Sequence, residues 1–332
     1  MPFLFSGGYV KTYQITIKPL SPFGTPLKGD TLFGHFCWQA AYSPELLNVP
    51  LGEALQTYDV RPFAVFSSVF SQLEDGAIAL KRPDMPLECL FDFSGVSREE
   101  RITSRKKYKE RSWLLLKKGE RLERLKTSTY SDDADLKAGE FLRDHNSINR
   151  TTGTTGSGEF APFTQPAIQY PVGGKLAFFV GIVTKITDSA RLCTALENIG
   201  AFGFGRDATT GMGRFAVVGC EEIDLNTLGS SAPNALYTLG PCVPCSGEVN
   251  DSYFTPFTRY GRHGDRLARS RNPFKSPIIL ADEGAVFVPT DMTAAVKKPY
   301  VGQGIRGISK AQPEAVAQGY SLFIPVQAEV VQ

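Results

Sequence analysis

No run of about 18 apolar residues occurs in the 332-residue chain, so no membrane-spanning helix is expected. The opening MPFLFSGGYV lacks a basic stretch leading into a long apolar one and does not read as a secretory leader. Six cysteines are scattered, and only Cys242 and Cys245 lie close together. Without a leader they are expected to be reduced thiols of a cytoplasmic protein. Cys242-Val-Pro-Cys245 is a lone CxxC, whereas structural zinc takes four ligands. Cys220 and His263 could complete such a set only through folding, so neither metal nor cofactor is expected. Histidine is scarce, with three in all: His35, His145 and His263. Walker loops, HExxH and GxSxG are missing and no paired carboxylates stand out, which argues against the standard routes to nucleotide hydrolysis, zinc proteolysis and serine hydrolysis.

Hydrophobic residues make up 42% of the chain and charged residues 21%, enough apolar material for a core of about two domains. Gly 32 and Pro 22 point to many turns and short strands. The net charge of +2 conceals an uneven distribution. Residues 98–126 carry an excess of +7 and residues 259–275 one of +5, which leaves −10 on the rest. Local cationic surface, not total charge, is what a polyanion requires.

Tyr13, Ile15 and Ile17 alternate with polar residues and predict a half-buried strand. After SPFGTPLKG comes a helix, capped by Asp30 or Thr31, with Leu32, Phe33, Phe36, Cys37, Ala40 and Ala41 on one face. Pro44 is compatible with a stop just before it. Residues 60–70 predict a second strand. Residues 71–165 break the pattern and read as an insertion outside the core. Regular structure resumes with the strand KLAFFVGIVTKI, then a helix from Asp188 with Leu192, Cys193, Leu196 and Ile199 on its face. Gly200 is placed to cap that helix in the left-handed region. The loop GFGRDATTGMG and the strand RFAVVG follow. The order strand, helix, strand, insertion, strand, helix, strand predicts an α+β chain whose first domain, residues 1–225, is a split βαβ of the ferredoxin-like type. Residues 226–332 carry the short apolar runs ALYTL, PIILA, AVFVP and YSLFIPV and predict a second, strand-rich domain.

The glycine loop from Gly203 to Phe215 is the most informative segment. Its glycines allow close approach of a backbone or phosphate, and Arg206 and Arg214 add charge beside amides expected to be exposed, a surface suited to an anion or RNA backbone. It follows a helix and enters a strand, the reverse of a dinucleotide fingerprint. The polar run from His145 to Gly153 suits phosphate contact through Arg150. His35 lies roughly opposite the apolar face of the first helix with Trp38 nearby, a position that suits an interface better than a general base.

These residues resemble the RAMP superfamily of CRISPR proteins. PLKGDTLFGHFCW, PFAVFSS, HNSINRTTGTTG, the glycine loop, YGRHGD, NPFKSPIIL and GYSLFIPV follow in the order seen in the fourth-subunit family of the type III-A (Csm) effector. The resemblance implies two ferredoxin-like modules and a cytoplasmic subunit without nuclease activity. It implies contact with the 5′ repeat-derived tag of the crRNA, with target RNA near the tag, with the large signature subunit and with a backbone RAMP subunit. It implies RNA contacts at Lys28, Arg206, Thr209, Thr210 and Arg214, together with Asn146, Asn149 and Arg150. Residues 98–126 would resemble the family's thumb, a basic arm carrying Arg105, Lys106, Lys107, Lys109, Arg111 and Trp113. Where relatives have Ser before Asp-Thr-Leu-Phe, this chain has Gly29. Alternatives are a metal-independent endoribonuclease using His35 with Lys28 or Tyr42, the equivalent type III-B subunit, and a metabolic protein whose loop binds a phosphorylated ligand.

Overall fold

A computed structural model describes residues 3–5, 8–95, 97–171 and 173–330. The chain begins β1 (Phe3–Phe5), β2 (Gly8–Pro19), α1 (Gly29–Tyr42), α2 (Leu51–Gln56), β3 (Ala64–Phe66) and β4 (Phe70–Gln72). It continues β5 (Ile78–Lys81), α3 (Leu87–Leu90), α4 (Arg98–Glu110), β6 (Trp113–Leu116) and β7 (Tyr130–Ser131). The hairpin β8 (Gly139–His145) and β9 (Phe163–Gln169) precedes β10 (Lys175–Val183), α5 (Ser189–Phe202) and β11 (Phe215–Ile223). The remainder holds β12 (Ala235–Thr238), β13 (Val249–Tyr253), β14 (Pro256–Arg259) and β15 (Ile278–Ala281). It closes with β16 (Val286–Pro289), α6 (Met292–Ala295), β17 (Tyr300–Gly302) and β18 (Tyr320–Val326).

The first sheet is antiparallel, with β11 and β10 flanking β2 and with β3 and β4 on the far side of β10. The alternating Tyr13, Ile15 and Ile17 are buried, as is the run from Leu176 to Val180 on the adjacent strand. Helices α1 and α5 pack together, and Leu32, Phe33, Phe36, Leu192, Leu196 and Ile199 fill the space beneath them. The strand expected over residues 60–70 is two short ones. Gln318 interrupts it by accepting from Phe66 N–H at 2.9 Å and donating to the Phe66 carbonyl at 2.7 Å.

Residues 71–165 are not wholly outside the core. β5, β6 and β7 extend the sheet beyond β4, and Leu80, Leu114, Leu116, Leu125 and Tyr130 are buried. Strands of two to four residues are too short to show a periodic signal. The expected basic arm is therefore two different things. Arg105, Lys106, Lys107 and Lys109 lie on the exposed helix α4, whose Tyr108 stacks on Phe91 at 4.2 Å. Trp113 belongs to β6, paired on both sides, with its indole N–H donating to the Asp133 carbonyl at 3.2 Å. Arg111 joins the two and lies over the Tyr108 ring at 5.3 Å.

The second half forms a five-stranded antiparallel sheet in the order β13-β16-β12-β18-β17, with β14 and β15 as a separate ribbon. Among the described residues its only α-helix is the four-residue α6. The two halves share one core: Tyr237, Leu239, Val286, Leu322 and Ile324 belong to the same buried cluster as Phe33, Phe66 and Phe178.

Candidate nucleic-acid interface

Helix α5 starts where the sequence places it, with the Asp188 carboxylate accepting from Arg191 N–H at 2.9 Å. It ends at Phe202, later than expected, and the cap is Gly203 at φ 103°, a conformation that favours glycine. Gly200 instead lies inside the helix, where any Cβ would collide with the Phe215 carbonyl.

The glycine loop folds back on the segment before α1, and this consumes most of its backbone donors. Phe204 N–H donates to the Gly213 carbonyl at 2.9 Å and Gly213 N–H to the Pro22 carbonyl at 2.7 Å. Arg206 N–H donates to Thr25 Oγ1 at 2.9 Å and Arg214 N–H to Ser21 Oγ at 2.8 Å. Gly205 N–H donates to His35 Nε2 at 3.1 Å, and the His35 ring lies 4.6 Å from that of Phe204. The open amides expected from the sequence are thus largely paired, and the surface is made by side chains. Arg206, Thr209, Thr210 and Arg214 are at least partly exposed.

His35 faces inward onto this loop, not outward to a partner. Burial lowers its pKa to about 4, so at neutral pH it is the uncharged acceptor that latches the loop to α1. Trp38, on the same helix, stacks on Tyr42 at 5.8 Å and faces the second half of the chain near Gly264.

The hairpin β8–β9 joins the loop. Arg143 donates to Thr210 Oγ1 at 3.2 Å, and Arg206 donates to the Pro166 carbonyl. Asp207, itself left-handed at φ 63°, lies 3.5 Å from Arg206 Nε and 3.8 Å from His145 Nε2. His145 Nε2 is buried with no hydrogen-bond partner, and its ring stacks on Phe163 at 5.2 Å. Phe23 and Ile168 exchange two backbone hydrogen bonds of 2.8 Å, fixing the hairpin's base. Beyond it, Phe141, Leu142, Ile148 and Phe163 are exposed, an unusual set of apolar side chains for a two-stranded ribbon. Asn146 and Arg150 are exposed or half-exposed at its tip, and Asn149 is partly buried, accepting from Thr151 N–H at 2.9 Å. The structure therefore gathers Arg206, Thr209, Thr210, Arg214, Asn146, Asn149 and Arg150 around one hairpin and one loop. Arg143 and the apolar hairpin residues went unseen in the sequence, where their only signal is apolar side chains within a polar stretch.

Lys28 stands apart from these residues. Its ammonium donates to Asp282 and to both oxygens of Glu283, at 2.8 and 2.7 Å, so its charge is neutralised within the protein. Burial opposes that charge, but Glu283 and Asp282 outweigh it and hold the pKa above the usual lysine range. Gly29 also has a structural reason, because any Cβ there would collide with the Phe66 carbonyl oxygen. Asp30 does not cap α1. The cap residue is Lys28, without a side-chain bond, and Asp30 instead binds Arg259 at 2.6 and 2.9 Å.

Among the described residues no three His, Cys, Asp or Glu side chains group so as to hold a metal ion. Cys242 is buried, which pushes its pKa up, and Cys245 donates to the Gly302 carbonyl at 3.3 Å. Cys220 neighbours Cys193, and His263 pairs with Ser309 Oγ at 2.6 Å. No helix among the described residues is long and apolar enough to cross a membrane.

No family model and no curated protein matches the chain. Solved structures do. One is a crystal structure of a Csm1–Csm4 cassette in complex with AMPPNP, at TM-score 0.56 and 18% identity over 97% of this chain and 99% of the other. A Csm1–Csm4 cassette in complex with cA4 gives TM-score 0.56 and 18% identity over 96% and 99%. A Csm3–Csm4 subcomplex of the type III-A CRISPR–Cas interference complex gives 0.52 and 13% over 95% and 99%. At such identities the likeness speaks for the fold: over nearly its whole length the chain shares the mixed, antiparallel α+β fold of a chain in these Csm complexes.

Proposed function

We propose that the chain is a crRNA-binding subunit of a type III-A CRISPR effector that grips the 5′ tag and performs no RNA cleavage of its own. The observation that carries this reading is the junction of Arg206 and Arg214, both open to solvent, with a protruding hairpin that displays Arg143, Arg150 and four large apolar side chains. Cations hold phosphates, and apolar side chains at the hairpin wedge beside bases where guide and target meet. The hairpin, not residues 98–126, then takes the thumb's role, and α4 adds a basic face. The strand order of the first sheet supports reading it as one ferredoxin-like module, with the second sheet as a module reduced in its helices. The similar proteins occur with Csm1 and with Csm3, which supports the large signature subunit and a backbone RAMP subunit as partners.

Filter binding of a tag-bearing crRNA tests the grip. Arg206→Ala and Arg214→Ala are expected to weaken binding and to flatten its salt dependence by about 0.7 for each phosphate no longer held. Unchanged affinity and slope would remove the idea. Incubation with repeat RNA, with and without divalent metal, tests the absence of cleavage. Discrete cuts that disappear in His35→Ala would favour an endoribonuclease, although the lone pair of His35 is already engaged by Gly205 N–H.

A further inference from the structure

The second basic segment, residues 259–275, lies outside the interface described above. It belongs to the ribbon of β14 and β15, and its residues alternate in exposure. Thr258, Tyr260 and Arg262 face solvent, whereas Phe257, Arg259 and Gly261 are partly buried. The inward Arg259 is bound by Asp30. The outward face is continued by the neighbouring strand, where Ile279 pairs with Thr258 and Phe274 bridges Arg262. Tyr260 is 78% exposed, Phe274 68% and Ile279 69%. Arg262 lies over the Phe274 ring at 5.4 Å and donates to the Ala268 carbonyl at 3.3 Å. Arg262, Arg266, Arg269 and Arg271 are exposed, and among the described residues none is in an ion pair.

Exposed aromatic rings beside four clustered, exposed arginines suit a polyanion that carries flat, stackable groups. We infer that this ribbon face is a second platform for single-stranded RNA, with Tyr260 and Phe274 stacking bases and the arginines of the 262–271 loop holding the backbone. The density of exposed positive charge beside the rings favours RNA over an apolar protein face, which would offer the four arginines nothing to bind. The inference rests on the RNA-binding reading but concerns separate residues. Both surfaces hang on α1: Asp30 anchors the ribbon and His35 the glycine loop, five residues apart and about 7.5 Å along the helix axis.

The test is fluorescence anisotropy of a short labelled oligouridylate with the full chain across a salt series. Tyr260→Ala/Phe274→Ala is expected to weaken binding about tenfold or more while leaving the salt slope unchanged. Arg262→Ala/Arg269→Ala is expected to flatten the slope by about 0.7 for each phosphate released. Photocrosslinking of a 4-thiouridine oligonucleotide to the wild-type chain, mapped by mass spectrometry, should mark Tyr260 or Phe274, and does not depend on any variant folding. If the aromatic double variant binds like wild type and no crosslink reaches the ribbon, the platform is overturned and the face is left to a protein neighbour. The glycine-loop grip then stands if Arg206→Ala still weakens binding. If the wild-type chain binds no RNA at all, both readings fall together.

Discussion

At His35 a single lone pair ties helix α1 to the glycine loop. An imidazolium has no acceptor, so protonation breaks the bond from Gly205 N–H. Burial places the folded-state pKa near 4, below the ordinary value of about 6.5. The resulting stability is present above pH 6.5 or so and is lost as pH falls from there through about 4. Thermal unfolding midpoints of wild type should drop across that window, and His35→Gln, which keeps an acceptor but no titration, should drop less. Identical pH profiles would show that His35 does not hold the loop. Gly29 allows a second measurement. Restoring the serine of relatives forces Cβ into the Phe66 carbonyl, so Gly29→Ser should cost about 1–3 kcal/mol in urea unfolding. A neutral or stabilising result would mean that the start of α1 yields easily.

At the scale of elements, residues 98–126 separate into a helix that can be altered and a strand that cannot. β6 lies between β5 and β7, with Leu114 and Leu116 buried. Replacing the whole segment with a Gly/Ser linker should therefore leave no folded protein, as judged by circular dichroism. Lys106→Ala/Lys107→Ala/Lys109→Ala, all on the solvent side of α4, should change stability by no more than about 0.5 kcal/mol per site. It should weaken target-RNA binding at low salt. Wild-type target affinity in that triple variant would make α4 a solubilising helix. The elements legible in the sequence were those with room for a pattern: β2 and the helices α1 and α5, each of which buries one face, and β10, a long apolar run buried on both. The glycine loop was legible as composition and its outward arginines as charge. The short strands beyond β4 were hidden because a handful of residues cannot display alternation. The hairpin β8–β9 was hidden because much of it is exposed and neither strand sorts apolar from polar by face. The fates of the loop amides and of Lys28 were illegible for another reason: their partners lie 170 and more than 250 residues away.

At the scale of the whole molecule, Lys28 decides between gripping RNA and joining the two halves. Its segment precedes α1, its partners Asp282 and Glu283 sit between β15 and β16, and Ser68 donates to Glu283 at 3.0 Å from the connection of β3 to β4. Lys81 adds a further contact with Asp282 at 3.6 Å. The cluster thus spans both sheets beside a core to which both contribute. Burial alone would favour a protonated Glu283, and Lys28 is the charge that opposes this. Removing the lysine leaves two carboxylates crowded together away from water, a change that typically costs about 3–5 kcal/mol for a buried pair. Lys28→Met should therefore lower urea stability by about that amount and leave the crRNA affinity of the folded protein unchanged. A lysine that touched phosphate would behave in the opposite way, with weaker binding, a flatter salt slope and little loss of stability. The same shared core implies that residues 226–332 expressed alone should give no dispersed amide spectrum, since Tyr237, Val286 and Leu322 would be stripped of their neighbours from the first sheet. A well-dispersed spectrum from that fragment, together with a Lys28→Met chain of wild-type stability, would show that the halves fold independently and would return Lys28 to the RNA-binding surface.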